Sequence, residues 1–260
     1  MSAGVINSGP LRSFPKSVKE FLWAWRLRNA YSGVYKDFAA AARSVPRNKP
    51  LGYDQPGVAS RYLERLNGPL HDDYPALFWM GRALQDTRSV FEIGGHVGLA
   101  FYGFERYLGY PAGLNWTILD IPSVAAEGRR LARERERAEL SFITEFAEIG
   151  GAETLLAAGS LQYIESPDLS ETIKRLSPKP KHIIINKTPV WDGPGFVTLQ
   201  NLGCSWVPYQ VRNRKEFVDA IAAQGYKLVD TWRKDRRFRI LWHPDKAFNH
   251  YAGFCFQQVQ

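Results

Sequence analysis

Two hydrophobic periods alternate along this chain. Val90–Ile93, Leu140–Thr144, Thr154–Ala158 and Lys181–Asn186 are short, largely apolar runs of the kind that fill a parallel sheet covered on both faces. Trp116–Asp120 is a further strand that ends on an acid. Between these runs the apolar positions recur at helical spacing, over 97–108, 123–138, 168–176 and 214–223. The segment 123–138 is typical, with Val124 and Leu131 turned inward beneath a face of arginines and glutamates. Strand–helix alternation of this kind predicts a doubly wound α/β sheet. Tyr226–Trp232 then reads as a strand, and Arg237–Trp242 and Tyr251–Gln257 as an antiparallel edge with a polar loop between them.

The first 86 residues carry a different pattern. Val18, Phe21, Leu22 and Trp25 make one apolar helical face, and further helices are predicted over 34–43, 58–66 and 74–85. The expected division is an all-helical N-terminal appendage over 1–86 and a sheet domain over 87–260. The segment 14–30 is basic and amphipathic, which suits packing on its own domain or peripheral contact with an anionic membrane. Residues 187–209 are aromatic and rich in glycine and proline, and they follow the central strand at its C-terminal end. Long loops in compact domains tend to carry function. This one is read as a substrate-facing wall or lid, which puts Asn186, Lys187 and Trp191 toward a bound molecule.

Composition narrows the class without choosing within it. With 45% hydrophobic and 23% charged residues the chain is ordinary globular protein. No apolar run approaches the roughly 18 residues of a membrane span, and no leader pattern opens the chain, so a soluble, cytoplasmic protein is expected. Cys204 and Cys255 have no metal or disulfide spacing, and no His/Asp/Glu cluster has ligand spacing, so no metal is expected. The formal charge of +8 is spread out, with a denser run at Arg233, Lys234, Arg236, Arg237 and Arg239. That run reads as a solvated hairpin, and nucleic acid as an unfavoured partner. An anionic substrate, such as a nucleotide-linked sugar, accounts for the surplus equally well.

The candidate chemistry centres on Glu92-Ile-Gly94-Gly95-His96-Val-Gly98. A strand that stops on glycines and re-enters a helix exposes backbone N–H groups where polar ligand groups approach closely. Glu92, at the strand end, suits a cation such as an α-ammonium group. Asp120, followed by Ile121, ends the second strand, where a carboxylate accepts the two hydroxyls of a ribose; the alternative is an N-cap for the helix beginning near Ser123. The dinucleotide pattern G-x-G-x-x-G fits poorly, because 96 is histidine and 99 leucine.

The spacing E-x-G-G-x-x-G resembles the first motif of class I S-adenosylmethionine (SAM) methyltransferases, with His96 standing where that motif has its second glycine. Ala158-Gly-Ser-Leu-Gln-Tyr163 is similar to their post-strand motif for small-molecule substrates, and the Asn/Asp-Pro-Pro-Tyr/Phe tetrapeptide of nucleic-acid methyltransferases is absent. Together with Ile185-Asn-Lys-Thr-Pro and Tyr251-Ala-Gly-Phe-Cys-Phe, these stretches resemble a family of bacterial SAM-dependent methyltransferases assigned from sequence. Some members are encoded beside surface-polysaccharide or natural-product genes. The resemblance implies a Rossmann-like sheet of seven strands, mostly parallel with an antiparallel C-terminal edge. It implies SAM as cofactor, held by Glu92, Gly94, Gly95, Gly98, Asp120, Ile121 and the segment with Ser160, Leu161, Gln162 and Tyr163, Tyr163 facing substrate. Such enzymes place a side chain after the third strand against the adenine amino group, for which Glu145 is nearest. Appendages in these enzymes contact substrate, for which Tyr53 is a candidate. His96 is either the base that deprotonates an acceptor or a loop residue bonded to the cofactor. The implied activity is methylation, most simply O-methylation, of a small-molecule or glycan acceptor. Alternatives are a non-catalytic binding protein of the same fold and an RNA or DNA methyltransferase.

Overall fold

A computed structural model describes residues 29–55, 63–240 and 242–259. The amphipathic segment 14–30 falls almost wholly outside them. The element order is β1 (Tyr31–Tyr35), α1 (Phe38–Arg43), α2 (Tyr74–Ala83), β2 (Ser89–Ile93), α3 (Leu99–Glu105), β3 (Asn115–Leu119), α4 (Pro122–Glu134), β4 (Leu140–Ile143), β5 (Thr154–Ala158), α5 (Leu169–Arg175), β6 (His182–Thr188), β7 (Val190–Trp191), β8 (Phe196–Asn201), β9 (Trp206–Asn213), α6 (Arg214–Ala222), β10 (Tyr226–Ile240) and β11 (His243–Gln258).

The sheet runs β4-β3-β2-β5-β6-β11-β10-β1-β8-β9-β7. The first five strands are mutually parallel, β11 and β10 follow antiparallel, and the order reverses on either side of β2. Two apolar layers cover the parallel part. On one face α2, α3 and α4 bury Met80, Phe101 and Val124 against Trp116, Ile118 and Ile184. On the other, α5 and α6 bury Ile173 and Phe217 against Phe91, Leu155 and Phe254. This is the Rossmann-like α/β architecture, and the crevice at the C-terminal ends of β2, β3 and β5 is where such sheets bind ligands.

Four expectations need correction. Among the described residues the sheet has eleven strands, not seven, because it continues beyond β10 through β1, β8, β9 and β7. The N-terminal region is not all-helical: Tyr31–Tyr35 is a strand paired with β8 and β10. Asp37 caps the next helix by accepting the Ala40 N–H at 2.6 Å, so that helix cannot begin at Val34. Residues 187–209 are not a long loop. Their glycines and prolines make the turns of a β7–β8–β9 arrangement in which every residue of β8 is buried, Val197 and Leu199 beneath Ala41 and Trp206. The polar stretch after Trp242 is likewise strand, β11 pairing with β10 as far as His243 opposite Ile240. Phe238 and Phe248 stack there at 4.5 Å between ring centres. No helix among the described residues is long and apolar enough to cross a membrane.

Candidate active site

The glycine turn after β2 is built for close approach. A methyl group on Gly95 would lie 2.5 Å from the Glu92 Cδ, and one on Gly94 would run into the Ser160 side chain. Ser160 in turn donates its hydroxyl to the Ile93 carbonyl, tying the turn after β5 to the end of β2. His96 takes a left-handed backbone conformation (φ 57°), which accounts for glycine at this position in the related motif; histidine is among the few side chains that tolerate it. Gly98, also left-handed, stands at the start of α3.

Asp120 locks this turn to the end of β3. Its Oδ2 accepts the His96 N–H at 2.8 Å and its Oδ1 the Ile121 N–H at 2.8 Å. Burial pushes its pKa up to about 6, against those two hydrogen bonds. The capping alternative is answered by geometry, because the N-cap of α4 is Ile121 and no side chain caps it.

Above these groups lies a cavity of about 290 Å³. Tyr53, Gly94, Asp120, Ile121, Phe146 and Ser160 are on its wall. Glu145 is exposed and off the wall; its neighbours Thr144 and Phe146 line it instead. Leu161 is likewise off the wall, buried in the apolar layer below. Glu92 does not line this space either. It is fully buried, accepts the Trp116 indole N–H at 2.9 Å and borders a small adjoining cavity of about 40 Å³ with Arg65, Asp73 and Gly95. Burial raises the Glu92 pKa to about 8.

A further cavity of about 340 Å³ opens beside the first, and Tyr53, Gly94, His96, Gly159 and Tyr163 line both. The buried His96 therefore sits at the junction. The rings of Tyr53 and Tyr163 are 5.4 Å apart, and Tyr163 meets Tyr209 edge-on at 5.3 Å. A hydroxyl chain follows: Tyr209 donates to Tyr251 at 2.7 Å, Tyr251 lies 3.0 Å from Tyr31, and Tyr163 donates to Gln200 at 2.7 Å. Burial holds the phenols of Tyr209 and Tyr251 well above their ordinary pKa, so they act as neutral donors and acceptors.

Charge gathers on the same wall. Lys187 is ion-paired with Asp73, and Lys234 with Asp72. Burial lowers the Lys187 pKa, opposed by Asp73; burial works to raise that of Asp72, but Lys234 outweighs it and leaves it lowered. Asn186 stands behind the wall, donating to the Asp72 carbonyl at 3.0 Å and to Asp73 at 3.1 Å while accepting the Trp232 indole at 2.9 Å. Trp191 is away from the cavities, packed on Phe196, with Lys246 over its ring. Of the sequence candidates for substrate contact, Tyr53, Tyr163 and Lys187 line the second cavity; Asn186 and Trp191 do not. Gln162, expected at the cofactor, lines the second cavity instead. The sequence reading missed Tyr31, Tyr209, Tyr251, Gln200 and Arg236. Three or more metal-ligating side chains gather nowhere among the described residues.

No family model and no curated protein sequence matches the chain. Solved structures do resemble it. The 1,6-didemethyltoxoflavin-N1-methyltransferase of Burkholderia thailandensis, with 1,6-didemethyltoxoflavin and S-adenosylhomocysteine bound, is 19% identical over 73% of this chain and 79% of its own, with a TM-score of 0.51. Magnesium protoporphyrin IX methyltransferase from Synechocystis PCC 6803, with S-adenosylhomocysteine bound, is 13% identical over 78% of this chain and 96% of its own, with a TM-score of 0.51. A glycopeptide N-methyltransferase complexed with SAM is 10% identical over 73% and 94%, with a TM-score of 0.50. At these identities the likeness is one of fold: the chain has the α/β Rossmann-like fold of class I methyltransferases.

Proposed function

We propose that this chain is a SAM-dependent methyltransferase acting on a small-molecule or glycan acceptor, with oxygen as the methylated atom. The observation that carries the reading is Asp120, a half-buried carboxylate at the strand-order reversal, bonded to the glycine turn and facing a cavity walled by Ile121 and Phe146. These residues fit an adenosine: Asp120 for the ribose hydroxyls, the apolar wall for the base. Glu92 beside Gly95 fits the α-ammonium group. The neighbours of similar fold were crystallised with SAM or S-adenosylhomocysteine, which supports the same cofactor here.

When bound, SAM supplies an electrophilic methyl carbon on a sulfonium. The chain's own residues orient the acceptor and remove its proton. Tyr53 and Tyr163, common to both cavities, would flank an acceptor in the second cavity as it approaches a cofactor held in the first. His96 lies at that passage and would take the proton of an acceptor hydroxyl as its oxygen bonds the methyl carbon and the carbon–sulfur bond breaks, leaving the thioether.

Calorimetric titration of the purified chain with SAM and S-adenosylhomocysteine, with NAD as control, tests the cofactor. Micromolar binding of the first two and none of NAD is expected; no binding of either overturns the proposal. His96→Asn keeps a side chain that tolerates the left-handed backbone. It should lower kcat by about 10²- to 10⁴-fold, the usual worth of a general base, with S-adenosylhomocysteine affinity retained. Undiminished release of S-adenosylhomocysteine, on any acceptor the wild type methylates, would remove His96 from the chemistry.

A further inference from the structure

The second cavity is lined by a cation that no carboxylate among the described residues neutralises. Lys187 and Arg65 share Asp73, and Lys234 pairs with Asp72. Arg236 differs. It lines the cavity and is half-buried, its guanidinium interacts with the hydroxyls of Tyr31 and Tyr251, and no carboxylate among the described residues pairs with it. Burial works against the charge, but the two phenolic oxygens more than offset it, so the guanidinium stays charged. Charges withdrawn from water are ordinarily paired. Arg236 is instead held by neutral hydroxyls, which leaves its charge available to an incoming anion.

A second observation points to the rest of the ligand. Gln162 is buried and on the cavity wall; its amide N–H donates to the Gly159 carbonyl at 2.6 Å, and its side-chain oxygen has no partner among the described residues. An acceptor left unsatisfied in a buried position costs about 1–3 kcal/mol, which a ligand hydroxyl would recover. The edge-to-face rings of Tyr163 and Tyr209, with Tyr53 beside them, provide flat apolar surface for a ring bearing that hydroxyl.

We infer that the acceptor is an acidic, hydroxylated ring compound, its carboxylate or phosphate oxygens taken by Arg236 and a hydroxyl donated to Gln162. This rests on reading the second cavity as the acceptor side of a methyltransferase. Arg236 recognises oxyanion chemistry, which a sugar acid and a sugar phosphate share.

The full chain, saturated with S-adenosylhomocysteine, is titrated with a hexuronate, a hexose 6-phosphate and the neutral methyl hexoside. At least one acid should bind about tenfold or more tightly than the glycoside, and a tenfold preference between the two acids identifies the oxyanion. Arg236→Gln should weaken the acids by about 10- to 100-fold, the worth of a hydrogen bond to a charged group, and leave the glycoside unchanged. Arg237→Gln, on the outward face of the same strand, should change nothing. If Arg236→Gln fails to fold, the wild-type preference for acid over glycoside decides alone. Equal affinity for acid and glycoside, no binding of either acid, or a folded Arg236→Gln with undiminished acid preference overturns the inference. S-adenosylhomocysteine binding without any sugar is measured separately; its failure counts against the methyltransferase reading, and the acids are then titrated without it.

Discussion

Asp120→Ala should abolish measurable S-adenosylhomocysteine binding while the chain stays folded. Two ribose hydroxyls donating to one carboxylate make charge-assisted bonds, each worth about 1.5–3 kcal/mol, so the expected loss is about a hundredfold or more. The substitution also strips the His96 N–H of its acceptor, loosening the turn that positions the cofactor. Asp120→Asn should fall between, since its amide keeps one oxygen for a backbone N–H and presents an NH₂ to the other. With the Asp120 pKa near 6, affinity should decline as pH falls through 6 and the carboxyl protonates. Folding stability runs the other way. A pKa raised from its ordinary 3.8 means that protonation favours the fold, so this contribution is present below about pH 4 and lost as pH rises through 6. A folded Asp120→Ala with wild-type affinity, judged by calorimetry beside a thermal melt, removes Asp120 from the site.

The parallel core was legible because its strands are buried on both faces and bounded by glycine or proline, so composition alone marks β2, β3, β5 and β6. The added strands were not, for reasons that differ. β1 is five residues, Tyr-Ser-Gly-Val-Tyr, running directly into an alanine-rich helix, and only the Asp37 cap separates the two. In β7 to β9 the Trp-Asp-Gly-Pro-Gly turn outweighs the alternation of Phe196, Thr198 and Gln200, all of which are buried. The charge run was legible as a hairpin but not as part of the site. On a strand its side chains divide by parity: Arg233, Asp235 and Arg237 are exposed, while Lys234 and Arg236 turn toward the cavity. The tyrosine cluster left no local signal in the sequence, since Tyr31, Tyr209 and Tyr251 meet only through the sheet order β11-β10-β1-β8-β9. Within the glycine turn the sequence placed Glu92 in the main crevice, whereas its carboxylate turns onto Trp116.

That placement makes Glu92→Gln the second large effect. Glu92 is wholly buried and its pKa lies near 8 instead of 4.5, the cause being burial, opposed by the Trp116 indole and reinforced by Asp120 and Asp73. Near pH 7 without ligand the group is therefore largely protonated. The sign of the linkage follows: the folded chain binds a proton that the unfolded chain releases, so stability is fully present below about pH 4.5 and is lost as pH rises to 8. At about 1.4 kcal/mol for each pH unit, the change across that window is several kcal/mol. Glutamine cannot ionise and still offers an oxygen to the Trp116 N–H. Glu92→Gln should therefore lose most of the wild-type slope between pH 6 and 8, keeping the shallower fall between about 4 and 6 that Asp120 provides. Ligand binding should report the same proton. An α-ammonium group beside Glu92 favours the ionised carboxylate, so wild-type protein should release up to about one proton on binding S-adenosylhomocysteine at pH 7. Calorimetry in two buffers of different ionisation enthalpy measures this. Glu92→Gln should release none and bind about tenfold or more weakly, the loss of one charge-assisted bond. Equal proton release in both proteins would mean that the ammonium group lies elsewhere and that Glu92 serves only to hold Trp116.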